Sequence, residues 1–355
     1  MSTDILLLDS DLNVCGMADD YSALVWQRRY FSVGNFSLTL PDKYFAQAKS
    51  ASYVYSHESG ALGIVEKYVY SVSADGDTLV TVSGRLGEAL LDFRIIDGVY
   101  IMSGSLEEQV CELVKSYAIE GDRAVPGLEL APMQGLSYTV SAQAFGTSLS
   151  AFLYDLLAPY GLSYTITYSD EQKALVFSLK EGIVRTQTQS ENQPAVFSTS
   201  FENFSESKFS FNNRNFANLA YVFGSGSTEE RKKVEVDLIK DGENRREIFV
   251  SASDISKKIP LGDGIQKELT DEEYSALLFS RGEQSLAAKK KTLSVSGRIS
   301  TSSPPYYRKD FDLGDICCCE IPSVELSAEL RLTEMRETYE KGGVILDAVF
   351  SSENE

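Results

Sequence analysis

Two hydrophobic periods share this chain, and the period of two prevails. Through residues 5–81 apolar residues come in short runs separated by turn residues. Tyr53 and Tyr55, then Ile64, Val65, Tyr68 and Tyr70, flank Ser56-His57-Glu58-Ser59-Gly60, while 69–74 and 78–83 flank Asp75-Gly76-Asp77 as a hairpin would. Strands at this spacing predict a barrel or sandwich, with a short helix over 86–93.

From about residue 99 the period lengthens. Ser105-Leu106-Glu107-Glu108 has the form of a capping box, in which the Ser oxygen and the Glu side chain each satisfy a first-turn amide. Leu106, Val110, Leu113, Val114 and Tyr117 follow at helical spacing. A second helix starts near Thr147 or Ser148, buries Leu149, Phe152, Leu153, Leu156 and Leu157, and ends at Pro159 and Gly161. A hairpin around Ser169-Asp170 joins 162–168 to 174–179. The polar run 186–194 reads as a linker.

Strands resume at 208–211, 220–223, 234–239 and 247–250, with Asp241-Gly242 turning between the last two. Thr270-Asp271-Glu272-Glu273 is another capping box, opening a helix to about Lys290, and 293–299 returns to sheet. Leu313-Gly314-Asp315 reads as a turn, because Gly takes positive φ and Asp bonds its own backbone. A strand runs from Ile316 to near Pro322. Val324, Leu326, Ala328, Leu330 and Leu332 then alternate with Glu325, Ser327, Glu329 and Arg331, and Lys341-Gly342-Gly343 turns into a last strand through Val344, Leu346, Ala348 and Phe350.

The 355 residues predict two or three domains. The residues divide into a β domain over 1–98, an α+β insert over 99–185, the linker, and a second β domain over 195–355 with one helix at about 271–290. The fold class is α+β, predominantly β. Aromatic content of 11%, mostly Tyr and Phe, agrees with the lean toward sheet. The net charge of −19 lacks the basic footprint of a nucleic-acid binder, and its plain reading is solubility. No window is apolar enough for a membrane span, and 5–8 is too short for a signal core.

Candidate chemistry is sparse. His57 is the single histidine, so a Ser-His or Cys-His site has one position available, and no Gly-x-Ser-x-Gly elbow accompanies it. Cys317, Cys318 and Cys319 are adjacent on a strand and point to alternate faces, which suits reduced thiols filling a layer rather than a metal site. Carboxylates pair at Asp9/Asp11, Asp19/Asp20, Glu107/Glu108, Glu229/Glu230 and Glu272/Glu273; glycoside hydrolysis would need one such pair in a cleft. Gly84-Arg85-Leu86-Gly87 and Gly224-Ser225-Gly226-Ser227 read as turn glycines without a phosphate-loop Lys. Arg231-Lys232-Lys233 and Lys289-Lys290-Lys291 read as solvated or interface-rim charges. The sequons at Asn35 and Asn203 mean little in a chain with no visible secretion signal. The expectation is a non-enzymatic protein with no catalytic residue, cofactor or metal.

The C-terminal stretch carries a resemblance. A Leu-Gly-Asp turn into a strand, then Arg331-Leu332-Thr333-Glu334 and a closing hairpin, resembles the end of tail-hub proteins of long-tailed phages and prophages. At the other end, Asp9, Asp11, Trp26-Gln27-Arg28-Arg29-Tyr30 and Gly34-Asn35-Phe36-Ser37-Leu38 are similar to that family's opening strands, and 218–224 matches more loosely. The resemblance implies two barrel-like β domains flanking the insert. It implies a virion structural protein, made in the bacterial host cytoplasm and assembled at the tail tip as a hub ring, a homotrimer in the family. The ring would close or extend the tail tube. Implied partners are further copies of itself, the distal tail or tube protein, the tape-measure protein, and a receptor-binding or cell-puncturing component. DNA would pass through the lumen without tight binding, for which an acidic chain is suited. Relatives often carry a C-terminal peptidoglycan-degrading domain; ending at Glu355, this chain is expected to have it absent or encoded separately. Alternatives are a carbohydrate- or receptor-binding β module of the same particle, using its many Tyr as stacking platforms, and a glycosidase using a carboxylate pair.

Overall fold

The computed structural model describes residues 4–352, except 75, 228–230 and 263–264. Strand β1 (Ile5–Leu8) is buried at all four positions. Ile5 and Leu7 enter one core with Trp26, Phe36 and Leu38, while Leu6 and Leu8 enter another with the helices of the insert. A strand covered on both faces leaves no place for a polar alternate, which accounts for the unbroken apolar run.

After it come β2 (Val14–Ala18), β3 (Ala23–Arg29), β4 (Asn35–Pro41), helix α1 (Phe45–Ser50), β5 (Tyr53–Ser56), β6 (Ala61–Ile64), β7 (Lys67–Val72) and β8 (Thr78–Arg85). One four-stranded sheet has the order β2-β1-β5-β6, and β3, β4, β8 and β7 belong to a much larger sheet. Strands β7 and β8 pair as the sequence predicts, although residue 75 of their turn lies outside the described residues.

Next come β9 (Ile95–Ile96), β10 (Tyr100–Ser105), α2 (Leu106–Val114), β11 (Leu128–Leu130), β12 (Thr139–Ala144), β13 (Thr147–Ser148), α3 (Leu149–Leu157), β14 (Leu162–Ser169) and β15 (Ala174–Glu181), all but β9 within 99–185. Ser148 caps α3 by accepting the Ala151 amide at 3.1 Å. Ser105 caps α2 through the Glu108 amide at 3.4 Å, without the return bond from the Glu108 side chain that would complete the expected box. Glu107 is buried, and its carboxylate accepts the amides of Gln134, Gly135 and Leu136 at 2.5, 2.8 and 2.9 Å. It fastens the 131–138 segment to the helix start. The insert's core is continuous with the inner face of β5 and β6 through Tyr55, Leu62 and Ile64.

The rest of the chain comprises β16 (Val184–Arg185), β17 (Val196–Ser198), β18 (Phe204–Asn212), β19 (Leu219–Phe223), β20 (Lys233–Asp237), β21 (Glu247–Ser251), β22 (Lys258–Gly262), β23 (Ile265–Glu268), α4 (Asp271–Ala287), β24 (Thr292–Ile299), β25 (Ile316–Ile321), β26 (Leu326–Glu340) and β27 (Gly343–Ser351). The large sheet has the order β18-β24-β27-β26-β3-β4-β8-β7, with β16, β17 and β25 joined at β26. The two β-rich regions of the chain therefore meet in one sheet across the β3–β26 ladder, from Arg29↔Glu334 to Ala23↔Glu340. A register shift between Leu332 and Glu334 divides β26. Its first part pairs with β25 and its second with β3.

Two local expectations need correction. Residues 186–194 are no free linker: Thr186 is buried, and Gln189 bonds the carbonyls of Thr186 and Asn192 at 2.8 Å each. The loop joins β16 and β17, which lie on the same strand, β25. The turn at Asp241-Gly242 lies between β20 and β21 as expected, and these two flank β19, with β21 parallel to it. Helix α4 opens on a complete capping box at Thr270 and Glu273 but ends at Ala287 rather than Lys290, and it packs on β19 and β20 through Leu278, Val222 and Val236. Among the described residues no helix is long and apolar enough to cross a membrane.

Candidate assembly surfaces

The residues singled out for chemistry are engaged in holding the fold. His57 faces Asp170 at 3.1 Å and stands edge-on to the Tyr55 ring, tying the β5–β6 loop to the β14–β15 turn. Neighbouring Ser56 and Ser59 accept the backbone amides of Ser59 and Ala61 instead of meeting the imidazole. Cys317 and Cys319 point into the core, burial pushes their thiols up, and all three adjacent cysteines are free. Among the described residues no group of three or more His, Cys, Asp or Glu is placed to hold a metal ion.

The carboxylate pairs shape turns and caps. Asp9 accepts the amides of Asp11 and Asn13 at 2.9 Å. Asp19 accepts the Tyr44 hydroxyl at 2.9 Å, and Asp20 pairs with Lys43 at 3.1 Å. Glu273 closes the α4 cap, and Glu229/Glu230 lie outside the described residues. Of the glycines, Gly84 lies against the Ile64 carbonyl and Gly224 against the Tyr274 hydroxyl, close approaches that leave no cradle. Asn203 is buried, donating to the carbonyls of Val196 and Pro304 at 2.8 and 3.1 Å, so its sequon is closed to glycan.

The Leu313-Gly314-Asp315 turn ties the three regions of the chain together. Gly314 has φ +99°, its N–H bonds the Leu332 carbonyl at 2.9 Å, and its own carbonyl accepts from Arg331. Asp315 accepts the Ile183 amide at 2.8 Å, the Arg185 guanidinium at 2.6 Å and the Asp312 amide at 3.0 Å. The Tyr30 ring lies against Gly314, and its hydroxyl reaches the carbonyls of Lys180 and Gly161 at 2.8 and 3.0 Å. Arg331, read from its alternation as a solvent-facing residue, is buried for this reason.

A buried ion cluster beside this turn escaped the sequence reading. Glu337, fully buried, accepts from Arg308 and from the Tyr339 hydroxyl (2.9 Å) and lies 3.9 Å from Arg28. Its signal was a parity change: core positions are even at Leu330 and Leu332 and odd at Met335, Glu337 and Tyr339. Trp26–Tyr30 and Arg331–Glu334, from opposite ends of the chain, are neighbours, with Arg29 opposite Glu334.

Besides the branch at β25, the main path of the large sheet ends in two unlike strands, β7 and β18, each paired on one side only among the described residues. Every residue of β7 is exposed, and Tyr68 and Tyr70 sit opposite core residues Val82 and Val80. Phe45 stands edge-on to both rings, 6.2 and 5.3 Å away. At the other end, Phe209 and Phe211 of β18 sit opposite Val295 and Leu293 and are 40% and 51% exposed. Both edges thus extend the core face of the sheet beyond the cover that the rest of the chain supplies. The opposite face is polar. Three of its arginines are held by carboxylates: Arg298 by Glu206 and Asp347 (2.7 and 3.2 Å), Arg85 by Glu66 and Asp92 (2.7 and 2.6 Å), and Arg29 by Glu334 (3.7 Å).

Comparison with known proteins agrees with this architecture. No curated protein matches the chain. Among solved structures, the prophage MuSo2 43 kDa tail protein from Shewanella oneidensis is similar over 98% of both chains, with 13% identity and a TM-score of 0.61. The tail protein from Neisseria meningitidis MC58 matches over 99% of this chain and 97% of its own, with 10% identity and a TM-score of 0.59. Prophage tail protein gp18 from Listeria monocytogenes EGD-e matches over 99% and 94%, with 12% identity and a TM-score of 0.56. At these identities the likeness is one of fold. The family model described as Siphovirus ReqiPepy6 Gp37-like protein matches residues 4–350, so the chain belongs to that family and is a phage tail protein.

Proposed function

We propose that this chain is a non-enzymatic structural component of the tail tip, forming the hub ring that closes or extends the tail tube. The observation that carries the reading is the pair of unlike sheet edges. A strand edge presents unpaired amides and carbonyls, and here each edge also presents core-face aromatics without cover. Pairing β7 of one copy with β18 of the next is a heterologous contact, which repeats and forms a ring where its rotation closes. Pairing like with like would give a closed dimer without an opening. The ring is a trimer on the family resemblance. Its neighbours are the distal tail or tube protein, the tape-measure protein and a receptor-binding or puncturing component, in a virion tail made in the host cytoplasm.

The test is to co-express the chain with its tail neighbour and image the complex. Rings are expected, and the double variant Tyr68→Lys/Tyr70→Lys should lose them while melting like the parent, because both side chains are exposed. A pore-free dimer, or rings indifferent to that variant, overturns the reading. Purified protein should turn over no peptide, glycan or ester; activity abolished by His57→Ala in a folded variant contradicts the non-enzymatic part. A second reading, a glycan- or receptor-binding module, is favoured by Phe249, 66% exposed and stacked on Phe223 at 5.3 Å, and a glycan array tests it.

A further inference from the structure

A cleft of about 820 Å³ separates the β21 edge and α4 from the start of α3, within the range of sites that hold ligands. One wall of it is open backbone. Ala252 donates to the Phe223 carbonyl at 2.8 Å, and the Arg246 carbonyl accepts from Leu219 at 3.2 Å. In a parallel ladder alternate residues bond the same neighbour, so 246, 248, 250 and 252 face β19. Glu247, Phe249 and Ser251 therefore turn their N–H and C=O groups toward the cleft. Among the described residues no strand pairs with that row, since β21 ends the order β20-β19-β21.

The other wall gives the row a chemistry. Phe145, 44% exposed, and Phe152 stand across the cleft. Arg281 is already held by Asp254 at 2.8 and 3.2 Å, whereas Asp155 makes no ion pair among the described residues. Lys289 lies on the same lining. Repeating donors and acceptors along a strand edge are matched by an extended polypeptide and by little else. The geometry points to β21 as the docking edge for one extended segment of a partner protein. That segment adds a strand of about five residues, roughly 17 Å long. Small or β-branched side chains fit between the phenylalanines, a basic residue faces Asp155 and an acidic one faces Lys289. The site is distinct from β7 and β18, so it stands or falls independently of the ring.

The probe is a pool of fluorescein-labelled heptapeptides alternating Thr and Val, with one Lys and one Glu in either order, read by anisotropy. Saturable binding is expected. Phe249→Pro removes a donor that faces the cleft and leaves the β19 ladder intact, so at unchanged melting temperature it should weaken binding at least tenfold. Asp155→Asn should weaken the Lys-bearing peptides and leave Lys-free controls alone. The same pool N-methylated at every residue, which leaves neither edge with a donor, needs no protein variant and should not bind. Failure of every member to bind the parent protein overturns the proposal, as does equal binding by the N-methylated pool or by a folded Phe249→Pro protein.

Discussion

Replacing Gly314 by Val tests whether one turn holds three parts of the chain together. Two costs add. A β-branched residue at φ +99° is strained by about 1–3 kcal/mol. Its Cβ would also overlap the Tyr30 ring, which is 1% exposed and fixed at its hydroxyl, an overpacking worth about 1–3 kcal/mol. The sum is roughly 2–6 kcal/mol, or about 4–12 °C at near 2 °C per kcal/mol for a long chain. Gly342→Val makes the same chemical change in open space without a left-handed φ, and should stay within about 0.5 kcal/mol of the parent. The single tryptophan, Trp26, is fully buried beside the same ladder, so intrinsic fluorescence during thermal unfolding is a direct readout. Equal melting temperatures for Gly314→Val and Gly342→Val would refute the reasoning.

Two further outcomes follow from buried carboxylates. Glu107→Ala strips three amides of their acceptor and should cost about 3 kcal/mol or more, with faster proteolysis in 131–138; unchanged proteolysis there would contradict the fastening role. Burial raises the Glu88 carboxyl above its ordinary range, against hydrogen bonds including one from Thr165 and the field of Arg28, and its Oε2 has no partner among the described residues. A raised folded value means that the neutral acid suits the fold. The stability it contributes is present below about pH 4.3 and is lost as pH rises through the folded value. Glu88→Gln should therefore raise the melting temperature at pH 7 and change little near pH 4, and a pH-independent difference would contradict the assignment.

What was legible in the sequence was local. Caps at Ser148 and Thr270 and the hairpins at 169–170 and 341–343 are written in neighbouring residues, and they fold where the pattern places them. What was hidden spans the chain. Nothing near Arg29 announces Glu334, and nothing near β19 announces that β21 passes β20 to reach its far side. Glu107 fits a helix start so well that its distant amides are invisible locally. The glycine of the Leu313-Gly314-Asp315 turn could be read as left-handed. That Tyr30 would fill the space above it depends on a ladder built by the opposite end of the chain.

The net charge of −19 was the sequence's argument against DNA binding, and the structure replaces it with a more local one. Affinity for duplex comes from cations free to neutralise phosphates and release counterions. On the polar face of the large sheet the ladder aligns Arg298, Asp347, Arg336, Gln27, Asn35 and Arg85 in one row, and Arg298 and Arg85 each touch two carboxylates. What surrounds the row is largely Ser and Thr, such as Ser37, Thr39, Thr81, Ser83, Ser294 and Ser296. A face of this kind offers phosphate few unengaged cations, whatever the remainder of the chain carries. The triple variant Glu206→Gln/Glu334→Gln/Asp347→Asn changes the net charge only from −19 to −16, yet it frees Arg29 and Arg298. Duplex binding should then appear at low salt, weakening with a logarithmic slope of about two for two phosphates. The parent protein should show none. If variant and parent behave alike, net charge governs and local pairing does not; if the parent already binds in a salt-sensitive way, the surface is unsuited to a channel through which DNA must slide.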